Sequence, residues 1–324
     1  MSTHRMNLTT HYPKLFVVGC PRSGTSWVTQ LIASHPSVTA VPIETHAYPL
    51  IYEPFVRLPS QTFPQRLRSW KGTMRRYGPL PLFFGFTSSD IWRGILRNYQ
   101  ILNKEDSHGL RLLASYDTFK GLVQTEQSRP GSDQQKAEQV ISDLFDLFFQ
   151  QNGKVGHTLL EKTPMHLRYV DRILQRFPEA RVVEVIRDGR DVCASYQALA
   201  QQYAWADMGL PAVMRQWKSC IEQGDRWRSH TNLAERIHTV RYEALKAEPA
   251  NQLQQLFNFA NLSVTAQQVS EIVQMADIRN VSAKGEGQYV RKGIVGDWQN
   301  RLSAKDVETC EAIAGPQLTR LGYS

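Results

Sequence analysis

The sequence predicts an α/β protein built on a mostly parallel, doubly wound sheet. Short apolar runs rich in β-branched residues, such as Lys14–Val18 and Arg181–Ile186, alternate along the chain with stretches of helical apolar periodicity. Loops that contain glycine, proline or cations separate the two kinds of segment. Because strands that alternate with helices build βαβ units, this pattern favours parallel strands with helices on both faces.

The bulk composition suits one large domain, which we place over residues 1–324, with 41% hydrophobic and 21% charged residues. No apolar run of about 18 residues predicts a transmembrane helix, and the first residues lack the apolar core of a signal peptide. The four cysteines are far apart, without a C-x-x-C pair, which argues against a disulfide framework or a zinc site and fits a cytoplasmic protein. The net charge of +8 implies anionic ligands, nucleic acid or a membrane surface, without choosing among them.

The first strand leads into a loop that almost matches the Walker A pattern G-x-x-x-x-G-K-[ST]. Gly19 and Gly24 have the required spacing, and Ser26 occupies the hydroxyl position. Thr25 stands in the place of the lysine that contacts a β/γ-phosphate pair, and the loop cation is instead Arg22. A strand, a glycine-bounded loop and a helix N-terminus together form a cradle for an anion. The alternative is a glycine-containing turn with no ligand.

A second predicted strand, Ser37–Val41, ends at a polar loop that contains Glu44 and His46. In a parallel sheet such a loop faces the ligand crevice at the carboxyl ends of the strands. Both residues are therefore candidates for acid–base catalysis, and an ordinary polar loop is the alternative.

Residues 54–89 differ in character from the rest of the chain. They contain six cations, no acidic residue and many aromatic side chains, and no helical or strand period dominates. We interpret residues 47–131 as an insertion on the acceptor side of the sheet. The basic segment could bind an anionic or amphiphilic acceptor, nucleic acid or a membrane. The alternative is a solvated basic face with its aromatic side chains in the core.

Lys162 lies between a predicted strand, His157–Leu160, and the start of a predicted helix. Thr163 is a favourable N-cap and Pro164 a favourable first helical residue. A cation at this position can contact an anion bound at the helix N-terminus. A lysine that faces solvent is the alternative.

Two further junctions carry cations. Arg187 follows the strand Arg181–Ile186, and Ser195 lies two turns into the next helix, so the two side chains can converge on one phosphate. Near the C-terminus, Arg291 and Lys292 stand directly before a glycine and make a third cationic loop.

Four of these segments, in the same order along the chain, resemble the sulfotransferases that use 3′-phosphoadenosine 5′-phosphosulfate (PAPS). They are PRSGTSW, IRDGRDVCASY, RYEAL and RKGIVGDW, and they span residues 15 to 298. The resemblance implies a P-loop-type three-layer α/β/α sandwich around a mostly parallel sheet.

The resemblance also implies a role for each matching residue. The 5′-phosphosulfate would be held by Arg22, Ser23, Gly24, Thr25 and Ser26. Trp27 and Tyr242 would lie near the adenine. The 3′-phosphate would be bound by Arg187, Ser195, Arg291, Lys292 and Gly293.

The chain departs from the cytosolic subgroup of this family. Arg22 stands where that subgroup usually has lysine, and Pro164 stands where it has the catalytic histidine of a KTH-type motif, although Lys162 matches the preceding lysine. The PRSGT loop instead resembles tyrosylprotein sulfotransferases and many bacterial sulfotransferases. In those, a glutamate shortly after the first helix is the proposed base, so the resemblance gives this role to Glu44, with His46 as the second candidate.

The implied reaction is transfer of a sulfuryl group from PAPS to an acceptor hydroxyl or amine, with release of adenosine 3′,5′-bisphosphate (PAP) and without a metal. A small molecule, lipid, glycan or peptide is the expected acceptor, nucleic acid is not expected, and a peripheral membrane contact is left open. The dimer segment of the family is not visible before Arg291, so no oligomeric state is predicted. Two alternatives remain: a kinase with an altered Walker loop, and a non-enzymatic basic protein that binds polyanions or membranes.

Overall fold

Five parallel strands form the centre of the fold in the computed structural model, which describes residues 12–68, 70–104, 109–282 and 293–323. The strands are β1 (Lys14–Gly19), β2 (Val38–Ala40), β3 (Thr158–Lys162), β4 (Arg181–Ile186) and β5 (Ile237–Arg241). All the strand pairs are parallel, so the predicted mostly parallel sheet is confirmed.

The strand order is β2-β3-β1-β4-β5, with β1 at the centre of the sheet. Val17 in β1 pairs with Lys162 in β3 on one side, and Gly19 pairs with Val185 in β4 on the other. The chain runs from β1 to the edge strand β2, returns to β3, crosses to β4 and reaches the other edge at β5, and the loops after β1, β3 and β4 leave the sheet side by side. In sheets of this kind, ligands bind at the carboxyl ends of the strands where the winding reverses.

Helices cover both faces of the sheet. They are α1 (Thr25–Ala33), α2 (Glu53–Arg57), α3 (Phe63–Arg68), α4 (Trp70–Tyr77), α5 (Leu80–Phe84), α6 (Ser88–Lys104), α7 (Leu110–Leu113), α8 (Tyr116–Gln127), α9 (Asp133–Asn152), α10 (Val170–Arg176), α11 (Gly189–Ala200), α12 (Leu210–Arg228), α13 (Tyr242–Ala247), α14 (Pro249–Phe259), α15 (Ala266–Ser282) and α16 (Ala304–Arg320). Among these helices, none has both the length and the apolar composition needed to cross a membrane.

Alternation along β1 divides the core into two layers. Phe16 and Val18 pack in a cluster with helices α6, α9, α11 and α12, whereas Leu15 and Val17 pack in a second cluster with α1, α14 and α15. Successive side chains of a strand point to opposite faces, so a strand that is apolar on both faces is buried between two helical layers. The three-layer α/β/α sandwich is therefore confirmed.

Most of the described residues between 54 and 89 are helical, although no period dominates their sequence. They form α2 to α5 and the start of α6, and the longest complete helix among them is α4, with eight residues. Helices of two turns or fewer are too short to show a clear apolar stripe, because one stripe needs several turns to repeat. The lack of a period therefore reflects short helices and not an irregular chain.

The junction after β3 also differs from the prediction. Thr163 does occupy the N-cap position, but Pro164–Tyr169 forms a 3-10 helix, and α10 begins only at Val170. The Thr163 side chain makes no cap hydrogen bond and instead donates to Glu161 Oε1 at 2.6 Å. A cap uses the hydroxyl oxygen as an acceptor, and the Thr163 oxygen instead accepts from the backbone N–H of His46 at 3.2 Å.

Candidate functional site

The loop between β1 and α1 is tightly held against its neighbours. Gly24 has a φ of 93°, and a methyl group on its Cα would lie 2.4 Å from the Tyr242 ring. A methyl group on Gly19 would lie 2.5 Å from the carbonyl oxygen of Val185 in β4. Arg22 adopts a φ of 74°, which is uncommon for a residue with a side chain. Close packing and a left-handed backbone thus explain why this loop carries glycine at both ends.

Buried polar atoms in and beside the loop lack partners. Among the described residues, Ser23 Oγ and Trp27 Nε1 are buried with no hydrogen-bond partner, and so is Arg187 Nε at the end of β4. Unpaired buried donors are rare in proteins because they lose their hydrogen bonds to water. Two of these donors, on Ser23 and Arg187, belong to residues that were assigned to anion binding from sequence, and an anionic ligand would satisfy both.

The carboxylate of Glu44 and the side chains of Lys162 and His46 meet beside the loop. Lys162 Nζ donates to Glu44 Oε1 at 2.6 Å and to Ser26 Oγ at 3.2 Å, and His46 Nε2 lies 3.2 Å from Glu44 Oε2. Lys162 therefore connects the β2 loop to the first turn of α1. Glu44 and His46, the candidates for acid–base catalysis, and Lys162, the predicted anion contact, are thus brought together from two distant segments.

The environment of Glu44 keeps its carboxyl group ionised. Burial favours the neutral form, but the hydrogen bond to His46 and the charge and hydrogen bond of Lys162 outweigh it and lower the pKa of Glu44 to about 2. A carboxylate with so low a pKa is a weak base in the resting protein. Any interaction that draws Lys162 away from Glu44 raises this pKa and strengthens the base.

A second carboxylate, Glu161, lies buried in β3 directly behind this group. Its Oε1 accepts hydrogen bonds from the hydroxyl groups of Thr45 at 2.7 Å and Thr163 at 2.6 Å, and its Oε2 lies 2.9 Å from His166 Nδ1. Thr163 Oγ1 in turn accepts from the backbone N–H of His46 at 3.2 Å. The loop that carries Glu44 and His46 is thus tied to the sheet through Glu161.

Replacing Glu161 with glutamine is expected to destabilise the fold by about 1–3 kcal/mol, the usual cost of leaving a buried polar group without a suitable partner. The amide oxygen can still accept from Thr45 and Thr163, which both donate to Oε1, but the amide nitrogen would replace the oxygen that lies 2.9 Å from His166 Nδ1. Urea unfolding at neutral pH measures the loss. Glu126→Gln is the matched control: Glu126 is also buried, but its partner Arg129 is exposed, so a change of about 1 kcal/mol or less is expected. Equal losses in the two variants would contradict a special role for the Glu161 contacts.

The third junction places Arg187 between β4 and the C-terminal segment. Its Nη2 donates to the carbonyl oxygen of Ile294 at 2.8 Å, and its guanidinium lies 4.5 Å from the centre of the Tyr242 ring. Tyr242 Oη donates to the carbonyl oxygen of Gly293 at 2.9 Å. These contacts fix the residues that directly follow Arg291 and Lys292, which lie outside the described residues.

Ser195 contacts the first loop. Arg22 Nε donates to Ser195 Oγ at 3.2 Å, which connects the first loop to α11. Arg187 instead lies 3.4 Å from Asp191, and the two oxygens of Asp191 accept from the backbone N–H groups of Gly296 and Trp298, each at 3.0 Å. Ser195 and Arg187 are therefore connected through α11, which carries both Ser195 and Asp191.

Trp27 and Tyr242 pack together, but both rings are buried. Their centres are 5.4 Å apart in an edge-on arrangement, and Lys246 Nζ lies 4.3 Å from the centre of the Trp27 ring. Trp27 is only 6% exposed. An adenine ring that stacks on Trp27 requires Lys246 to move.

Sequence reasoning missed Glu161 and Asp191, which organise the site without forming its surface. Both gave a signal: Glu161 interrupts an apolar strand, and Asp191 lies four residues after Arg187 at the start of a helix. An ionisable residue in an otherwise apolar strand is expected to have partners, because burial of an unpaired charge is costly. The part of the chain that the structure describes contains no group of three or more His, Cys, Asp or Glu residues arranged to hold a metal ion.

Comparison with known proteins identifies the family. A family model described as the sulfotransferase family matches residues 13–266, which is most of the chain. The chain therefore belongs to the sulfotransferase family. No curated protein sequence matches it.

Solved sulfotransferase structures have a similar fold. The mouse sulfotransferase SULT7A1, solved in complex with PAP, is 12% identical, with a TM-score of 0.50 over 94% of this chain and 84% of the mouse chain. Sulfotransferase STF9 from Mycobacterium avium is 16% identical, with a TM-score of 0.49 over 96% of this chain and 77% of the other. At such low identity, the likeness to the mouse protein concerns the fold alone.

Proposed function

We propose that this protein transfers a sulfuryl group from PAPS to a hydroxyl group, or less favourably an amine, of an acceptor and releases PAP. The observation that carries the proposal is the position of Lys162, which contacts both the carboxylate of Glu44 and the hydroxyl of Ser26 in the first turn of α1. A carboxylate and a cation thus meet beside the loop that would bind the donor, which supports a base and a charge-stabilising group in one place. Sulfuryl transfer requires both in one place.

The donor would be held at its two anionic ends. The loop residues Arg22, Ser23, Gly24, Thr25 and Ser26 would bind the 5′-phosphosulfate. Arg187, Ser195, Arg291, Lys292 and Gly293 would bind the 3′-phosphate, with Tyr242 and Trp27 close to the adenine. The unpaired buried donors Ser23 Oγ and Arg187 Nε support one anion at each end. Positive charge from fixed cations replaces that of a metal ion in this scheme.

Glu44 would act as the base. As the acceptor oxygen forms its bond to sulfur, the acceptor proton passes to the Glu44 carboxylate, and the bond between sulfur and the bridging oxygen of the 5′-phosphate breaks. Lys162 and Arg22 would stabilise the charge that develops on the transferring group and on the leaving phosphate. As Lys162 turns toward the donor, the pKa of Glu44 rises from about 2, so the donor itself would strengthen the base.

His46 is the second candidate for the base. It lies 3.2 Å from Glu44 and has a left-handed backbone with a φ of 51°. A residue other than glycine in this region is strained, and such strain is frequent at functional sites. In the proposed mechanism His46 orients the carboxylate of Glu44, and a variant of each residue separates the two assignments.

The kinase and non-enzyme alternatives make different predictions about ligands. Thr25 in the lysine position of the Walker pattern disfavours a kinase. The acceptor in our proposal is a small molecule, lipid, glycan or peptide. Neither alternative requires Glu44 and Lys162 to meet beside the loop.

Isothermal titration calorimetry with PAP, and with ATP in the presence of magnesium, tests the proposal. We expect PAP to bind tightly and ATP weakly or not at all. Ser195→Ala should weaken PAP binding by about 10-fold to 150-fold, because one hydrogen bond to a charged group contributes about 1.5–3 kcal/mol. Ser142→Ala, which removes a buried serine hydroxyl on α9, is the matched control and should bind PAP like the original protein. Tight magnesium-dependent ATP binding would favour the kinase, and failure to bind either nucleotide would favour the non-enzyme.

A further inference from the structure

The segment that forms α3, α4 and α5 has an unusual surface. We call residues 61–86 the basic arm. Five of the six cations of residues 54–89 lie in the arm: Arg66, Arg68, Lys71, Arg75 and Arg76. No acidic residue occurs in the arm, so it carries a dense positive charge on a chain of net charge +8.

Large apolar side chains of the arm face solvent. Phe84 is 84% exposed, Leu80 is 65% exposed and Phe83 is 60% exposed. Phe63, Leu67 and Met74 are exposed as well. Among the described residues, sixteen large apolar side chains are exposed, and six of them lie between Phe63 and Phe84. Exposed apolar groups that are concentrated in one segment mark an interaction site, whereas scattered ones do not.

The arm is anchored to the body of the protein on its other side. Tyr77 and Phe86 pack against the core, with their ring centres 5.1 Å apart, and Tyr77 closely contacts Gly94 of α6. Arg97 Nη1 of α6 donates to the carbonyl oxygen of Arg75 at 3.3 Å. The exposed apolar side chains therefore project from a helical segment that α6 holds in place.

This combination of side chains matches a lipid surface better than a nucleic acid. Arginine and lysine are attracted to both, but aliphatic side chains such as Leu67, Met74 and Leu80 gain little from a phosphate backbone, which is recognised by charge and hydrogen bonds. Apolar side chains among basic residues on short helices are typical of segments that lie in the interface of an anionic bilayer. Phe83 and Phe84 are adjacent at the end of α5 and form the most exposed apolar pair of the arm.

We propose that the basic arm binds the surface of a bilayer that contains anionic lipid, with Phe83 and Phe84 inserted at the level of the headgroups and the cations in contact with lipid phosphates. The proposal does not depend on the reaction proposed above. Apolar insertion and charge attraction act together, because a few side chains of either kind alone give weak and reversible binding.

Sedimentation with lipid vesicles tests this assignment. The full chain should sediment with vesicles of phosphatidylcholine that contain phosphatidylglycerol, far less with phosphatidylcholine alone, and less in high salt. The double variant Arg75→Gln with Arg76→Gln should lose roughly 10-fold to 30-fold in affinity, since each cation near an anionic surface contributes about a 5-fold factor. Phe83→Ser with Phe84→Ser should lose at least as much and should leave the remaining binding more sensitive to salt.

Lys154→Gln with Val155→Ser is the matched control. These residues form an exposed pair of one cation and one apolar side chain before β3, and the change should leave vesicle binding unaltered. Thermal unfolding of each variant shows whether the fold is retained. Equal vesicle binding by the arm variants and the original protein would overturn the proposal. Binding of a single-stranded oligonucleotide in preference to anionic vesicles, unaffected by the change of Phe83 and Phe84, would overturn it in favour of a nucleic-acid surface.

Discussion

Replacing Glu44 with glutamine is expected to lower kcat by about 10²–10⁴-fold, the contribution of a positioned general base. Glutamine has the same shape and keeps an acceptor oxygen for Lys162, but it cannot take the proton of the acceptor. Calorimetry should show nearly unchanged PAP binding, because, among the described residues, Glu44 is linked to Ser26 of the donor-binding loop through Lys162. Assays with labelled PAPS and a set of hydroxyl acceptors measure the loss of turnover.

His46→Gln is the matched comparison for Glu44→Gln. If His46 only orients Glu44, its variant should lose far less activity than the Glu44 variant. The reverse order of the two losses would move the role of base to His46. An unchanged kcat in Glu44→Gln, together with intact PAP binding, would contradict the assignment of Glu44 and would leave the proposed donor in place.

Lys162→Met is expected to lower kcat/KM for PAPS by about 10²–10³-fold, in the range seen when one preorganised group that stabilises developing charge is removed. The variant also removes two of the interactions that lower the pKa of Glu44, so this pKa should rise from about 2. In the original protein, kcat/KM for PAPS, which reports the free enzyme, should show no loss from Glu44 with falling pH until the pH approaches that value. In Lys162→Met, the acid limb of the profile should move to higher pH.

The ion pair between Lys162 and Glu44 also affects the stability of the fold, in a definite pH range. The pKa of Glu44 lies below the ordinary 4.5 in the folded protein, so its interactions stabilise the fold above that value and are lost as the pH falls toward about 2. Lys162→Met should reduce this dependence. Lys162→Arg retains the charge and should recover part of the activity and the stability. A pH profile and an unfolding curve identical to those of the original protein in Lys162→Met would contradict the ion pair.

Most of the fold was predictable because its signals are local. The strand β4 matches its predicted bounds, and the loop after β1 follows from two glycines, a cation and hydroxyl residues at fixed spacing. The expectation that the loop with Glu44 and His46 faces the ligand crevice followed from the rule that parallel strands deliver their loops to one edge. The short helices α3 to α5 escaped prediction because none is long enough to repeat an apolar stripe.

The contacts that hold the site together were not predictable, because they join segments that are far apart in sequence. The contact of Arg22 with Ser195 spans two strand–loop–helix units, whereas the pattern indicated only that Ser195 and Arg187 can converge on one phosphate. Glu161 accepts hydrogen bonds from Thr45, after β2, and from Thr163, after β3. Its position in an apolar strand predicts that it is buried but does not predict which residues it contacts. Such networks depend on side-chain directions that a linear pattern does not contain.

The central position of β1 has a consequence for the choice of donor. Lys162 ends β3 and Arg187 follows β4, and these two strands lie on either side of β1. Neighbouring strands are about 4.8 Å apart, so β3 and β4 lie roughly 10 Å apart across the sheet. Along the strands, Val17 pairs with both Lys162 and Val183, so Arg187 lies four residues further toward the carboxyl edge. The hydrogen bonds of the sheet thus fix the points at which the two side chains leave the backbone. A nucleotide whose two anionic groups are spaced differently is expected to contact one of these two cations and to miss the other.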